Sequence, residues 1–128
     1  MRAVDTNVLV RILARDDPRQ TAAAETFIAG GAWISHLVLA ETTGVLSSVY
    51  SRTTSQIAEA IAMLLEHESI LVQDPDVVAL ALAHFRTKTP LGFSDCLILE
   101  IARKAGHLPL GSFDRRLGRL DGTHLLKG

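Results

Sequence analysis

The sequence predicts an α/β protein with a mainly parallel sheet and helices on both faces. Three observations lead there. Five short β-like runs recur along the chain, at 2–5 (RAVD), 32–35 (AWIS), 69–72 (SILV), 108–113 (LPLGSF) and 123–126 (THLL). The stretches between them read as helices, and strands alternating with helices build parallel sheets. Aspartate, proline and glycine punctuate the joints.

The elements follow in order. Residues 7–14 (NVLVRILA) read as a helix that Thr6 caps. Asp16-Asp17-Pro18 is a turn opening a second helix to Ala29, with Pro18 in its first turn and Gly30-Gly31 ending it. After the second strand, 36–50 form a helix. Residues 55–67 form another, with Ile57, Ile61, Leu64 and Leu65 on one face. Asp74 caps a helix whose apolar stripe is Val78, Ala81, Leu82 and Phe85. The segment 89–92 breaks the pattern. Residues 94–105 are apolar almost all round, which predicts a largely buried helix stopped by Gly106. A helical turn at 114–117 joins the last two strands.

The totals bound the class. At 128 residues, 48% hydrophobic and 21% charged, the chain suits one compact domain with a sizeable core. Only six aromatic residues are present, so that core is aliphatic. A net charge of −1 excludes a generally basic nucleic-acid binder, and any such surface must be a local patch or depend on metal. One cysteine, Cys96, allows no internal disulfide and suits a reducing compartment, with Cys96 itself as core. No run approaches a membrane span and no signal-peptide pattern follows Met1, so a cytoplasmic protein is expected.

Four carboxylates carry the chemistry. Asp5 and Asp114 follow short apolar runs, where buried strands end; ligands in such sheets bind at these carboxyl ends. Asp95 opens the most apolar helix, and Glu41 shares an i, i+4 stripe with Leu37 and Val45. Each has a plainer role: a cap at Asp5, a salt bridge from Glu41 to a neighbour such as Arg11, a helix-dipole contact at Asp95, a turn at Asp114. Converging on one point, the four would repel one another unless cations neutralised them. Oxygen donors select hard ions such as Mg²⁺ or Mn²⁺. The chain therefore reads as a metal-dependent phosphodiester hydrolase. Asp16, Asp17, Asp74, Asp76 and Asp121 read as turn and cap residues, and Glu25, Glu59, Glu66, Glu68 and Glu100 as solvated helix positions. The five histidines lack zinc spacing, and neither a phosphate-binding glycine loop nor a G-x-S-x-G elbow occurs.

The segments VDTNVLVR, WISHLVLAET, FSDCLILEIARKAG and GSFDRRL, in this order and spacing, resemble the PIN domain, in particular the VapC-type toxin ribonucleases of toxin–antitoxin pairs. The resemblance spans essentially the whole chain. It implies a three-layer α/β/α fold with a five-stranded parallel sheet, and endoribonuclease activity with one or two Mg²⁺ or Mn²⁺ ions. It implies Asp5, Glu41, Asp95 and Asp114 as the acidic metal-site residues, and Thr6 and Ser112 as polar second positions. Where some members carry a further acid after the last Asp, this chain has Arg116. A homodimer and a small VapB-like antitoxin are also implied, with Val8, Leu9, Ile12, Leu13, Phe27 and Ile28 as groove formers. Arg115, Arg116 and Arg119 are candidate RNA-phosphate contacts, with Arg86, Lys88, Arg103 and Lys104 extending the patch. The competing readings are a PIN-like module that binds nucleic acid with a partner but does not cut, and another acidic Mg²⁺ enzyme. A haloacid-type phosphatase is disfavoured because Asp5-Thr6-Asn7 lacks a second Asp, and a DNA nuclease differs only in substrate.

Overall fold

The computed structural model describes residues 1–87 and 91–128, in two compact units, 1–75 and 76–128. The pattern break expected at 89–92 and the Lys88 contact fall wholly or partly on residues 88–90, outside the described residues.

In the first unit, β1 (Arg2–Ala3), β2 (Ala32–Ile34) and β3 (Ile70–Val72) form a parallel sheet in that order. Two helices fill each crossover: α1 (Thr6–Ala14) and α2 (Pro18–Ala29), then α3 (His36–Ser48) and α4 (Thr54–Glu66). Apolar spacing sets the buried faces. Leu9 and Val10 of α1, Leu39 and Leu46 of α3, and Ile57, Ile61 and Leu64 of α4 are all buried with Ile34 and Val72. Leu65 is half-buried.

The helix starts have specific causes. Asp17 Oδ1 accepts from Gln20 N at 3.1 Å, and Pro18 needs no donor partner at the first helical position. Ser35 Oγ accepts from Val38 N at 3.2 Å. Thr53 and Gln56 form a reciprocal capping box, which the sequence signals with T-x-x-Q. At α1 the expectation shifts by one residue. Asp5 is the cap and Thr6 begins the helix.

The second unit holds α5 (Pro75–Thr87, its first residue closing the first unit), α6 (Phe93–Ala105) and the parallel pair β4 (Leu110–Ser112) and β5 (Thr123–Leu125). A single 3₁₀ turn at Leu117–Arg119 joins β4 to β5. Phe85 and Phe93 meet edge-on, with ring centroids 5.7 Å apart. Gly106 ends α6 at a φ of 84°, a left-handed conformation that glycine adopts without a Cβ clash.

Two expectations are corrected. The α/β class and parallel pairing hold, but the five strands form a three-stranded and a two-stranded sheet, not one five-stranded sheet. The strands are shorter than their apolar runs. Val4 and Asp5 turn into the start of α1, Ser35 becomes the cap of α3, and Pro109 has no N–H to donate. Ladders of two or three residue pairs remain. Helix α6 is also not buried all round. Cys96, Leu97 and Leu99 are buried, whereas Ile98 is 50% exposed. Burial pushes the Cys96 thiol up to about 11, helped by the nearby Asp95 charge, so it stays protonated and unreactive.

Thr53→Ala, which removes half of the capping box, should lower the unfolding free energy by about 1 kcal/mol in urea titrations, with an unchanged slope.

Candidate functional site

In the first unit the site is built at the end of β1. Val4 is buried and its N–H still donates to Trp33 O, at 3.3 Å. One residue later the chain is a helix cap. Asp5 Oδ1 accepts from Thr6 N at 2.7 Å, and Oδ2 has no hydrogen-bond partner among the described residues. The carboxylate is exposed. Thr6 Oγ1 in turn donates to Glu41 Oε2 at 3.2 Å, across the packed pair α1 and α3. The structure thus brings together Asp5, Thr6 and Glu41, with Thr6 as the tie.

Glu41 is not the buried acid that its stripe suggested. It is exposed, and Leu37 on the same face is 69% exposed. The stripe faces solvent, so burial demands no counter-ion. Arg11 is not its partner either. That guanidinium donates to Gln20 at 2.6 Å, Asp16 at 2.9 Å and Tyr50 at 3.1 Å. Tyr50 Oη donates to Asp16 Oδ2 at 2.7 Å. The Tyr50 hydroxyl, more than Arg11, holds the Asp16 carboxyl below the usual carboxylate range.

In the second unit Asp95 occupies the first turn of α6, half-buried, behind Gly92, which offers no capping side chain. A carboxylate there is favoured by the helix dipole, worth about 0.3–1 kcal/mol. Asp114 is a turn residue as well as a site candidate. Its Oδ1 accepts from Arg116 N at 2.8 Å and Leu117 N at 3.2 Å, starting the 3₁₀ turn. Those two backbone donors, and then the nearby Arg116 charge, hold its carboxyl below the usual range. Ser112 Oγ accepts from Asp114 N at 3.0 Å. Both expected polar second positions therefore touch an acidic residue, Thr6 at Glu41 and Ser112 at Asp114.

Among the described residues no group of three or more His, Cys, Asp or Glu side chains stands together as a metal site. Carboxylate oxygens are of the kind that suit a hard divalent ion, and among the described residues Asp5 Oδ2 and Glu41 Oε1 in the first unit and Asp114 Oδ2 in the second carry no hydrogen bond.

The cations divide. Arg115 and Arg119 are exposed, and Arg116 lies 3.5 Å from Asp114 Oδ1. Arg103 and Lys104 are committed elsewhere, to Glu100 with the Asp121 carbonyl and to Asp76, which weakens the extended patch. Glu100 overturns its solvated reading. It is 2% exposed and accepts from Arg103 Nε at 3.1 Å, with His84 Nε2 at 3.0 Å. Its signal was present: Cys96, Leu99, Glu100 and Arg103 are spaced i, i+3, i+4 and i+7, so Glu100 sits on the buried stripe.

The chain matches the family model of the PIN domain over residues 2–123. It belongs to the PIN domain family, a nuclease-type fold whose members generally use divalent metals. Neither curated proteins nor solved structures returned a match. Among the described residues no helix is long and apolar enough to cross a membrane.

Glu100→Ala leaves Arg103 and His84 without their shared acceptor and opens a cavity. It should cost about 2–4 kcal/mol, read from urea unfolding at pH 7. A second outcome concerns pH. The Lys104 ammonium holds the Asp76 carboxyl below its ordinary 3.8. This stabilisation is complete above that value and disappears as pH falls through the lower folded one. Asp76→Asn should therefore lower the urea midpoint at pH 6, by an amount that shrinks as pH falls below 3.8.

Proposed function

We propose that this chain is a metal-dependent endoribonuclease, the toxin of a type II toxin–antitoxin pair of the VapC kind, acting in the cytoplasm, with residues 1–128 as a single PIN domain. The observation that carries this reading is family membership over residues 2–123, with acids at all four motif positions.

Asp5, Asp95 and Asp114 would hold one or two Mg²⁺ or Mn²⁺ ions, and Glu41 would join them directly or through water. When bound, the metal supplies a water acidic enough to deprotonate near neutral pH and a positive field on the scissile phosphate. The protein's part is placement. Thr6 donates to the Glu41 carboxylate beside the end of β1, and the Asp114 turn uses only Oδ1 among the described residues. The exposed Arg115 and Arg119 would contact RNA phosphates, while Arg116 lies against Asp114. Hydrolysis adds water to phosphorus and breaks the bond to the 3′ oxygen, leaving a 3′-hydroxyl and a 5′-phosphate.

A homodimer and a VapB-like antitoxin complete the reading. Val8 and Phe27 line a groove of about 470 Å³ with Asn7, Arg11 and Gln20. Ile12, Leu13 and Ile28 line another of about 520 Å³ with Met63. Both are candidate antitoxin seats, whereas Leu9 is fully buried and belongs to the core. The alternative is a PIN module that binds RNA with a partner but does not cut.

Cleavage of cellular RNA by the purified chain decides between them. Discrete fragments should need Mg²⁺ or Mn²⁺ and vanish with EDTA. Asp5→Asn and Asp95→Asn should each lower the rate by about 10²-fold or more without unfolding the chain. Undiminished cleavage by the double variant would remove both residues from the site, and metal binding without turnover would favour the non-cutting module.

A further inference from the structure

A third groove opens directly beside Asp5. It holds about 380 Å³ and lies wholly within the first unit. Asp5, Thr6 and Asn7 form one end, Val10, Val45 and Val49 the apolar wall, and Arg11 and Tyr50 the other end. We infer that this groove receives a nucleobase of the RNA next to the cut bond, held by Arg11 and flanked by the Tyr50 ring and the valines. The inference rests on the endoribonuclease reading for its substrate class and goes beyond it in naming the residues that read the base.

Three features point to a base. Arg11 is fixed through Nε and Nη1, by Gln20, Asp16 and Tyr50, and its Nη2 group makes no hydrogen bond among the described residues. Two N–H donors are thus held ready for an acceptor, and little side-chain freedom remains to be lost on binding. The Arg11 charge is already matched by Asp16 at 2.9 Å, and the Asp5 carboxylate stands at the other end. A phosphate gains little there, while a neutral base edge with carbonyl and ring-nitrogen acceptors can use the donors fully. The three valines and a tyrosine ring suit a flat, weakly polar ligand, and a volume of this size falls at the lower end of the ~300–1,000 Å³ usual for small-molecule sites. The Tyr50 hydroxyl is bonded to Asp16 and Arg11, so its ring is also held in place.

The same network joins α1 to the turn before α2 and to the end of α3, so a purely structural role must be separable. The test follows the methyl signals of Val10, Val45 and Val49 by NMR in the full chain, without divalent metal. Guanosine 5′-monophosphate and, separately, inorganic phosphate are titrated in. The nucleotide should move these methyls saturably and phosphate should not. Arg11→Met should weaken the nucleotide about tenfold. Val49→Asn, at a position 69% exposed and outside the Arg11 network, should also weaken it and decides the matter if the Arg11 variant does not fold. Methyls unmoved by the nucleotide, or moved equally by phosphate, overturn the inference. RNA cleavage with unmoved methyls would leave the nuclease reading and remove the base site. Saturable shifts in a chain that cuts no RNA under any metal would do the reverse.

Discussion

Within one or two residues of a strand's end, this chain must satisfy the free N–H groups of a new helix or turn. The rest of the architecture depends on how it does so. Backbone donors at a helix start have no partner inside the helix, and short connections place those starts where the sheet ends. The answer at each joint is a short oxygen-bearing side chain. Asp5 serves α1, Ser35 serves α3, and Asp114 serves the turn after β4. A carboxylate can do this with one oxygen and keep the other, and Asp5 and Asp114 both do. Capping therefore leaves on each of them one oxygen for the proposed metal site.

The polar contacts of the first unit fall into two groups along α1. Toward its start, Thr6 ties the end of β1 to Glu41 on α3. One to two turns on, Arg11 ties the same helix to Asp16, Gln20 and Tyr50. The first group is acidic and exposed. The second is close to neutral, because Asp16 stays ionised beside the guanidinium. The charge along α1 thus changes from acidic at its start to nearly balanced at Arg11.

The second unit has a different centre. Glu100 is almost fully buried, with Arg103 and His84 as its partners at 3.1 and 3.0 Å. Both partners keep contact with solvent, so the network removes one acid from water without fully desolvating the cations. It links α5 to α6, and the Arg103 bond to the Asp121 carbonyl extends it to the turn before β5. Arg103 thus has a structural role, which weakens it as a member of an RNA-binding patch.

Sequence alone determined the local facts. The order of helices and strands, the ends of α2 at Pro18 and Ala29, the stop at Gly106, the parallel α/β class and the acids of the family motif depend on periodicity and turn chemistry, which act between near neighbours. Tertiary structure decided what depends on distant neighbours. Strand lengths follow in part from which residues the caps withdraw from each ladder, and the strands pair as two small sheets. The exposure of Glu41 and the burial of Glu100 follow from which side of a helix another element covers. Helical spacing shows that residues share a face, but which face meets water is set by packing across the fold. The Arg11–Asp16–Tyr50 network joins residues 34 apart in the chain, at Asp16 and Tyr50. No local pattern encodes such a contact, because the geometry that makes it exists only after the helices have packed.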